Sequence, residues 1–378
     1  MKKLKVLIIA GAMDVGGIEN QLMHLLRNAD KEKFQIDFTS TMENPYYRRE
    51  IESLGGKVHV ISRMSKKNPG RYCSVLMKIM REGKYDIVHS HELFHSGIVL
   101  LTAAIAGVPG RFVHAHNWSD GDGSGKKRGI VRSVYNVVMR KLIRKHSTCQ
   151  IACSTLAGKF LYGEDILDKP SYHLVFNSVD TEKYLAKYDQ KESGEFCEDG
   201  WINVLQVGRF SKIKNQLFTA QIAQELKNRG KKIRILCAGN NGNEYEDKVT
   251  AAIEEMGLQE HMLLLGVRND IDVLMRKSSA FLLPSLYEGM PLVLIEAQAS
   301  GLPCVVADTF SREVDFEIGK VNWMQLADGV AAWVDAVENA VSKSRAEKAD
   351  IVRVVNEKRF DSKMFAKTLC DLYEKNYD

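Results

Sequence analysis

Short apolar, β-branched runs alternate along the chain with longer segments whose apolar residues recur every three to four positions. The runs Lys5 to Ile9, Gln35 to Thr39, Lys57 to Ile61, Asp86 to His89, Arg111 to His114 and Gln150 to Cys153 read as strands joined through helices. The alternation restarts at Ile202 to Val207 and continues through Ile233 to Ala238, Met262 to Leu265, Ala280 to Leu283 and Cys304 to Ala307. Continuous apolar strands with helical crossovers belong to parallel sheets covered on both faces, so the pattern predicts an α/β fold of two doubly wound domains. Between the two series, Asp180 to Gly200 is rich in Lys, Glu and Gly and reads as a hinge. The expected domains are 1–176 and 177–360, with a last helix within 361–378 able to pack back on the first.

Composition narrows the class without naming a chemistry. With 378 residues, 45% hydrophobic and 27% charged, the chain can bury two sizeable cores. A net charge of +5 is modest, so local charge has to carry any argument about partners. Seven cysteines, an odd number, sit mostly in apolar surroundings and read as reduced thiols of a cytoplasmic protein. The start, MKKLKVLIIAGAMDVGG, imitates a signal peptide, but it ends in Asp14-Val15-Gly16-Gly17 and reads better as a first strand entering a glycine turn. The apolar stretch from Gly97 to Pro109 falls short of the roughly 18 residues needed to cross a bilayer.

In doubly wound sheets ligands bind beyond the carboxyl ends of the strands, so the strand-to-helix loops are the places to search. The first, Gly11 to Asn20, opens a helix at Gly16-Gly17, where bare backbone N–H groups suit an anion, although it lacks GxGxxG spacing. At the start of the second series, Val207-Gly208-Arg209-Phe210-Ser211-Lys212-Ile213-Lys214-Asn215 places Arg209 and Lys214 to reach one polyanion.

Three patterns compete for a metal. His91-Glu92-Leu93-Phe94-His95 matches HExxH, the zinc metallopeptidase signature, but it straddles a strand end, where the i, i+4 helical geometry fails. Asp120-Gly121-Asp122 and Asp270-Ile271-Asp272 resemble acidic pairs that hold a metal on nucleotide sugars, at a length that chance often supplies. No metal is therefore expected. His114-Ala115-His116 closes another strand, and its two rings are expected on opposite faces, with at most one of them entering the cleft. Asn117-Trp118-Ser119 is a glycosylation acceptor pattern that a cytoplasmic chain does not use.

From Gly125 to Lys145 the chain reads GKKRGIVRSVYNVVMRKLIRK, basic at both ends, apolar between and without an acid. A solvated helix face is one reading. The other is a surface for anionic headgroups, through residues from Lys126 to Lys145. Few aromatics interleave the charges, so no nucleic-acid groove is expected.

The stretch YEGMPLVLIEAQASGLPCVV sets Glu296 inside an otherwise apolar helix, Leu292 to Ser300, that starts beside Pro291 and stops at Gly301. An ionised carboxylate there needs hydrogen-bond donors. Together with Glu288, with Gly16-Gly17, with VFNSVDTEKY from Val175 to Tyr184, and with VGRFSKIKN, LGVRNDI and LPSLYEG in that order, the stretch resembles family 4 of the retaining GT-B glycosyltransferases. The region GKVNWMQLADGVAAWVDAV looks most like bacterial exopolysaccharide and capsule enzymes.

The resemblance implies two Rossmann-like domains facing across a cleft, with a nucleotide-diphosphate-sugar donor, expected to be a UDP-sugar, held mainly by the second. Glu296 would take the ribose hydroxyls, so that the ligand supplies the donors the helix lacks. Glu288 would bind the transferred sugar beside the backbone of Gly289, Met290 and Pro291. Arg209, Lys214, Gly16 and Gly17 would hold the diphosphate, and Arg268 would lie near the base. His116 matches the family's active-site histidine, with His114 the alternative. No cofactor and no metal are implied, and the acceptor would be a glycan, including a lipid-linked one, reached from the inner face of the membrane. A nucleotide-sugar epimerase of the same fold, or an inactive subunit that binds nucleotide, would share these features. Epimerised donor in the absence of acceptor would reveal the first, and absence of donor hydrolysis the second.

Overall fold

The computed structural model describes residues 3–63, 69–117, 129–186, 188, 192–197, 200–240 and 242–376. The chain forms two units: residues 1–120, 125–178 and 360–378 make the first, and 179–359 belong to the second. Asp120-Gly121-Asp122, Lys126 and Lys127 lie outside the described residues.

The first unit is built on seven parallel strands, β1 (Leu4–Ile9), β2 (Phe34–Ser40), β3 (Val58–Val60), β4 (Ile87–Ser90), β5 (Gly110–Ala115), β6 (Cys149–Ala152) and β7 (Tyr172–Leu174). Their order is β3-β2-β1-β4-β5-β6-β7. Strand alternation divides the core: Val6 and Ile8 pack with the helices Gly17–Asn28 and Ser362–Lys375, through Leu22, Leu25, Phe365 and Leu369. Leu7 and Ile9 pack on the opposite face with Leu76, Met80, Val99 and Ala103 of the helices Pro69–Gly83 and Ser96–Ala106. Burying each such side chain stabilises the unit by about 1.5–3 kcal/mol. The last helix is fixed here by Phe365, Leu369 and Tyr373, all buried.

The second unit carries six parallel strands, β8 (Ile202–Val207), β9 (Ile233–Ala238), β10 (Met262–Gly266), β11 (Ala280–Leu283), β12 (Cys304–Ala307) and β13 (Val321–Met324), in the order β10-β9-β8-β11-β12-β13. Val204, Ile235, Leu282 and Val305 meet Ala220, Ala223 and Leu226 of the helix Gln216–Asn228, and Trp333 and Val337 of the helix Gly329–Ser342.

Two strands go beyond the sequence expectation, β7 and β13. Both are short edge strands with partly exposed side chains, so neither has the apolar run that a buried strand requires. The expected hinge also carries structure. Thr181–Leu185 is a helix of the second unit, capped by Asp180, whose Oδ1 accepts from the Lys183 amide at 3.1 Å.

In each sheet the direction of winding reverses beside the first strand, between β1 and β4 and between β8 and β11. The loops leaving these four strands are where such sheets bind ligands. All seven cysteines are free. Among the described residues no helix is long and apolar enough to cross a membrane.

Candidate functional site

In the second unit, the loops after β8 and β11 are stitched together. The Leu286 amide donates to the Ile213 carbonyl at 2.7 Å, the Asn215 side chain donates to the Pro284 carbonyl at 3.1 Å, and Gln206 donates to the Lys214 carbonyl at 2.9 Å. Two glycines make the loop possible. Gly208 has φ +153°, and a Cβ there would stand 3.0 Å from the Lys214 Cε, so its hydrogen leaves room for that side chain. Gly239, with φ +139°, lies so close to the Gly208 carbonyl that a Cβ would clash at 2.1 Å.

The result is a defined charge pair. Lys214 Nζ donates to Glu288 Oε1 at 2.6 Å, with side-chain exposures of only 19% and 13%. Gly289, Met290 and Pro291 follow directly and are buried. Arg209 is exposed on the same loop as Lys214; its carbonyl accepts from Gln216 at 3.2 Å, while its guanidinium has no hydrogen-bond or ion-pair partner among the described residues. Arg268 differs: its guanidinium is held by both carboxylate oxygens of Asp270, at 2.8 and 2.7 Å, with Glu195 at 3.5 Å. That clamp also occupies half of the Asp270-Ile271-Asp272 pattern. Asp272 pairs with Arg276 at 3.1 Å and Lys183 at 3.2 Å, so neither acid is poised for a metal.

Pro291 caps the helix Leu292–Ala299, and Gly301, at φ +69°, follows its end. Its apolar side chains other than Val293 are buried, whereas Glu296 keeps partial access to solvent. Burial raises the Glu296 carboxyl above its ordinary range, with Asp272 adding to the rise, while the Tyr184 hydroxyl, donating a hydrogen bond, and Lys183 oppose it. This corrects the expectation that only a ligand could satisfy Glu296. Tyr184 reaches it from the short helix Thr181–Leu185, in the segment that reads from sequence as a hinge. Its aromatic ring inside VFNSVDTEKY was the available signal.

In the first unit, Gly16 caps the helix Gly17–Asn28 with extended backbone, φ −172°. A Cβ at Gly16 would stand 2.3 Å from Glu19 Oε2, so a carboxylate already lies against this end of the helix. It is a favourable partner for the N-terminal dipole.

The histidines do not behave as expected. His114 and His116 point to one face, not to opposite faces, and their rings stack with centroids 4.2 Å apart. Side chains two residues apart on a strand share a face, which is the reason. His91 joins them, with its Nδ1 2.8 Å from His116 Nε2, and His89 stacks above His114 at 5.6 Å. Burial pushes His116 down to about 3, and burial with the neighbouring His116 does the same to His89, so these rings are neutral at neutral pH. His95, the second histidine of HELFH, is exposed and lies edge-on to Tyr135 at 5.7 Å, away from this stack. The motif therefore does not assemble the metallopeptidase pair.

Glu92, from the same motif, lines a separate small pocket, open to solvent, with Thr41, Arg63, Tyr72 and His95. Burial raises its carboxyl, Arg63 opposes the rise and Glu19 adds to it. Sequence patterning missed this grouping because its members come from the ends of β2, β3 and β4 and from the helix Pro69–Gly83.

Two strand-end ligand loops on two parallel sheets define the class. The family model for Glycosyltransferase Family 4 matches residues 15–183, and that for Glycosyl transferases group 1 matches 202–343. The chain belongs to the GT-B glycosyltransferases and is a transferase enzyme. It is 32% identical over 379 residues to the putative glycosyltransferase EpsF of Bacillus subtilis, covering 98% of this chain and 96% of that one. It is 29% identical over 313 residues to the capsular polysaccharide biosynthesis glycosyltransferase CapH of Staphylococcus aureus, covering 82% of each. The fold matches that of Anabaena HepE in complex with UDP-glucose, with a TM-score of 0.76 and 16% identity, over 98% of this chain and 100% of the other.

Proposed function

We propose that this chain is a retaining glycosyltransferase that moves a sugar from a UDP-sugar to a growing glycan, lipid-linked glycans included, in exopolysaccharide or capsule synthesis. The observation that carries the reading is the Lys214–Glu288 pair, held at 2.6 Å by two interlocked strand-end loops with the unpaired Arg209 on the same loop. One anion-binding group and one sugar-binding group are thus fixed side by side before any ligand arrives. The HepE complex with UDP-glucose and the CapH relative support the donor class and the pathway type.

In this reading Arg209 and Lys214 take the diphosphate, with the amides at Gly16 and Gly17 as further donors once the Glu19 carboxylate is displaced. Glu288 accepts hydrogen bonds from the sugar hydroxyls, beside the backbone of Gly289, Met290 and Pro291. Glu296, oriented by Tyr184, takes the ribose hydroxyls, and Arg268, splinted by Asp270, stacks near the base. The anomeric C–O bond to the diphosphate breaks as the acceptor oxygen bonds to the same face of that carbon. The acceptor's proton passes to the departing phosphate oxygen. Negative charge grows on the diphosphate during this step, and fixed cations lower the barrier without a metal or a cofactor. His116, neutral, positions the sugar, with His114 as the alternative.

The acceptor reading rests on the helix Ile130–His146. Ile130, Val131, Val134, Val137 and Val138 are exposed, by 83, 76, 56, 48 and 45%, and Lys141 and Lys145 continue the surface. Apolar insertion with basic flanks suits the anionic inner surface of a membrane, where a lipid-linked acceptor resides. Arg140 and Arg144 are committed elsewhere, to the Phe160 and Leu161 carbonyls and to Asp165.

The experiment is a thermal-shift screen of nucleotide sugars, followed by transfer assays with the donor that stabilises most. A UDP-sugar that stabilises the protein and is turned over supports the reading. Stabilisation with epimerised donor and no transfer would replace it with epimerisation.

A further inference from the structure

Two members of the histidine stack in the first unit, His89 and His91, have no part in the proposed donor site. Two HxH patterns, His89-Ser90-His91 and His114-Ala115-His116, lie at the ends of the neighbouring parallel strands β4 and β5. The register pairs His89 with Phe112, so position 91 lies beside position 114. Two-residue alternation then brings all four rings to one face. One ring nitrogen from each of His89, His91 and His114 lies within 4.8 Å of the others, and all three residues are buried.

Their hydrogen bonding divides in a specific way. His89 Nδ1 is 2.7 Å from the Tyr373 hydroxyl, and His91 Nδ1 is 2.8 Å from His116 Nε2. The opposite nitrogens, His89 Nε2 and His91 Nε2, have no partner among the described residues, and neither does either nitrogen of His114. Buried polar atoms without partners are uncommon and call for an explanation. Histidines that bind metal show this division: one nitrogen is held by an outer partner, which fixes the tautomer, while the other faces the ion.

We propose that His89, His91 and His114 form a binding site for one divalent transition-metal ion of the zinc class, which ties the ends of β4 and β5 to the C-terminal helix through Tyr373. Three neutral imidazoles with no carboxylate suit zinc, cobalt, nickel or copper rather than magnesium or calcium. Tetrahedral zinc with nitrogen ligands at about 2.0–2.1 Å requires the nitrogens to draw together by a little over an ångström, within reach of small ring rotations. His116, holding His91 from behind, is a positioning residue for the ion, as is Tyr373. The site shares only His91 with HELFH, so a peptidase arrangement is not involved. His116 and His114 also figure in the proposed sugar contact, so the site is tested through metal binding and coordination, without an activity assay.

Protein stripped with a chelator and dialysed is titrated with Zn²⁺ by calorimetry and with Co²⁺ by visible absorption. One equivalent is expected, with a Kd below about 1 µM, in the range of protein zinc sites. X-ray absorption of the zinc-loaded wild type should show imidazole nitrogens at about 2.0–2.1 Å. Replacing His114 by Gln should remove binding, whereas Glu92→Gln and His95→Gln should leave it unchanged. Tyr373→Phe, which keeps the core volume, should weaken it about tenfold, as loss of an outer partner does. Absence of a zinc equivalent in the wild type, a shell without imidazole, or binding lost with His95 but kept without His114 would each overturn the proposal.

Discussion

The two units put their polar groups to opposite uses at equivalent places, the loops beyond the carboxyl ends of a parallel sheet. In the second unit the groups are charged and paired: Lys214 with Glu288 at 2.6 Å, and Arg268 with Asp270 at 2.7 Å. In the first, beside the Glu92 and Arg63 pocket, four neutral histidine rings are packed over the ends of β4 and β5. Fixed charge suits a ligand that carries charge and gains more during reaction. Desolvated neutral rings suit hydroxyl groups or an ion that itself supplies the charge. The contrast is what the proposed function uses in giving the diphosphate to the second unit.

The largest effect should come from removing the cations. Lys214→Ala and Arg209→Ala are each expected to lower turnover by about 10²-fold or more at saturating donor, since a fixed donor to a developing anion is typically worth a few kcal/mol. Steady-state rates in the two variants check this, and wild-type rates would remove the residues from the diphosphate site.

A smaller effect separates the glutamates. Glu296→Ala should raise KM by about tenfold with little change in kcat, because ribose contacts are made equally in ground and transition states, while Glu288→Ala should lower kcat. Equal KM and kcat changes at the two positions would mean that the roles are misassigned.

Tyr184→Phe sharpens the same comparison. It removes the hydroxyl that Glu296 accepts from, so it should destabilise the protein by about 1–3 kcal/mol, measured by denaturant unfolding. Glu296→Gln should do the reverse at neutral pH without ligand. Burial holds the Glu296 carboxyl above its ordinary 4.5, so the folded state binds that proton more tightly than the unfolded state. The destabilisation is full above the raised value and fades as pH falls towards 4.5. The advantage of Glu296→Gln should therefore shrink across that window.

Membrane contact should respond least to any single change. Neutralising Lys141 and Lys145 together removes about 1 kcal/mol of attraction per charge near an anionic surface, screened by salt. Pelleting with anionic vesicles should fall several-fold, and fall further when Val134 and Val138 become serine. Unchanged pelleting would reduce this helix to a solvated face.

Much of this was legible from sequence because buried parallel strands leave long apolar runs. The paired loops after β8 and β11 were visible as polar residues at strand ends, which is why Arg209, Lys214, Glu288 and Glu296 could be singled out. The partners of those residues were not. Tyr184 meets Glu296 only once the chain has folded back on itself. Strands β7 and β13 escaped because edge strands need no continuous apolar run. The expectation for His114 and His116 failed for a simpler reason, since two residues along a strand return to the same face. Their stack with His89 and His91 then depended on the register of β4 against β5, which no local pattern encodes.

A diphosphate site at Lys214 and Arg209, beside a sugar-binding glutamate, is the core of the proposed function. Calorimetric titration of UDP and UMP into the wild type and Lys214→Ala tests it most directly. The wild type should bind UDP at least about tenfold tighter than UMP, since hydrogen bonds to charged groups contribute about 1.5–3 kcal/mol, and Lys214→Ala should lose most of that preference. Equal affinities in the wild type, or a preference that survives intact in the variant, would contradict it.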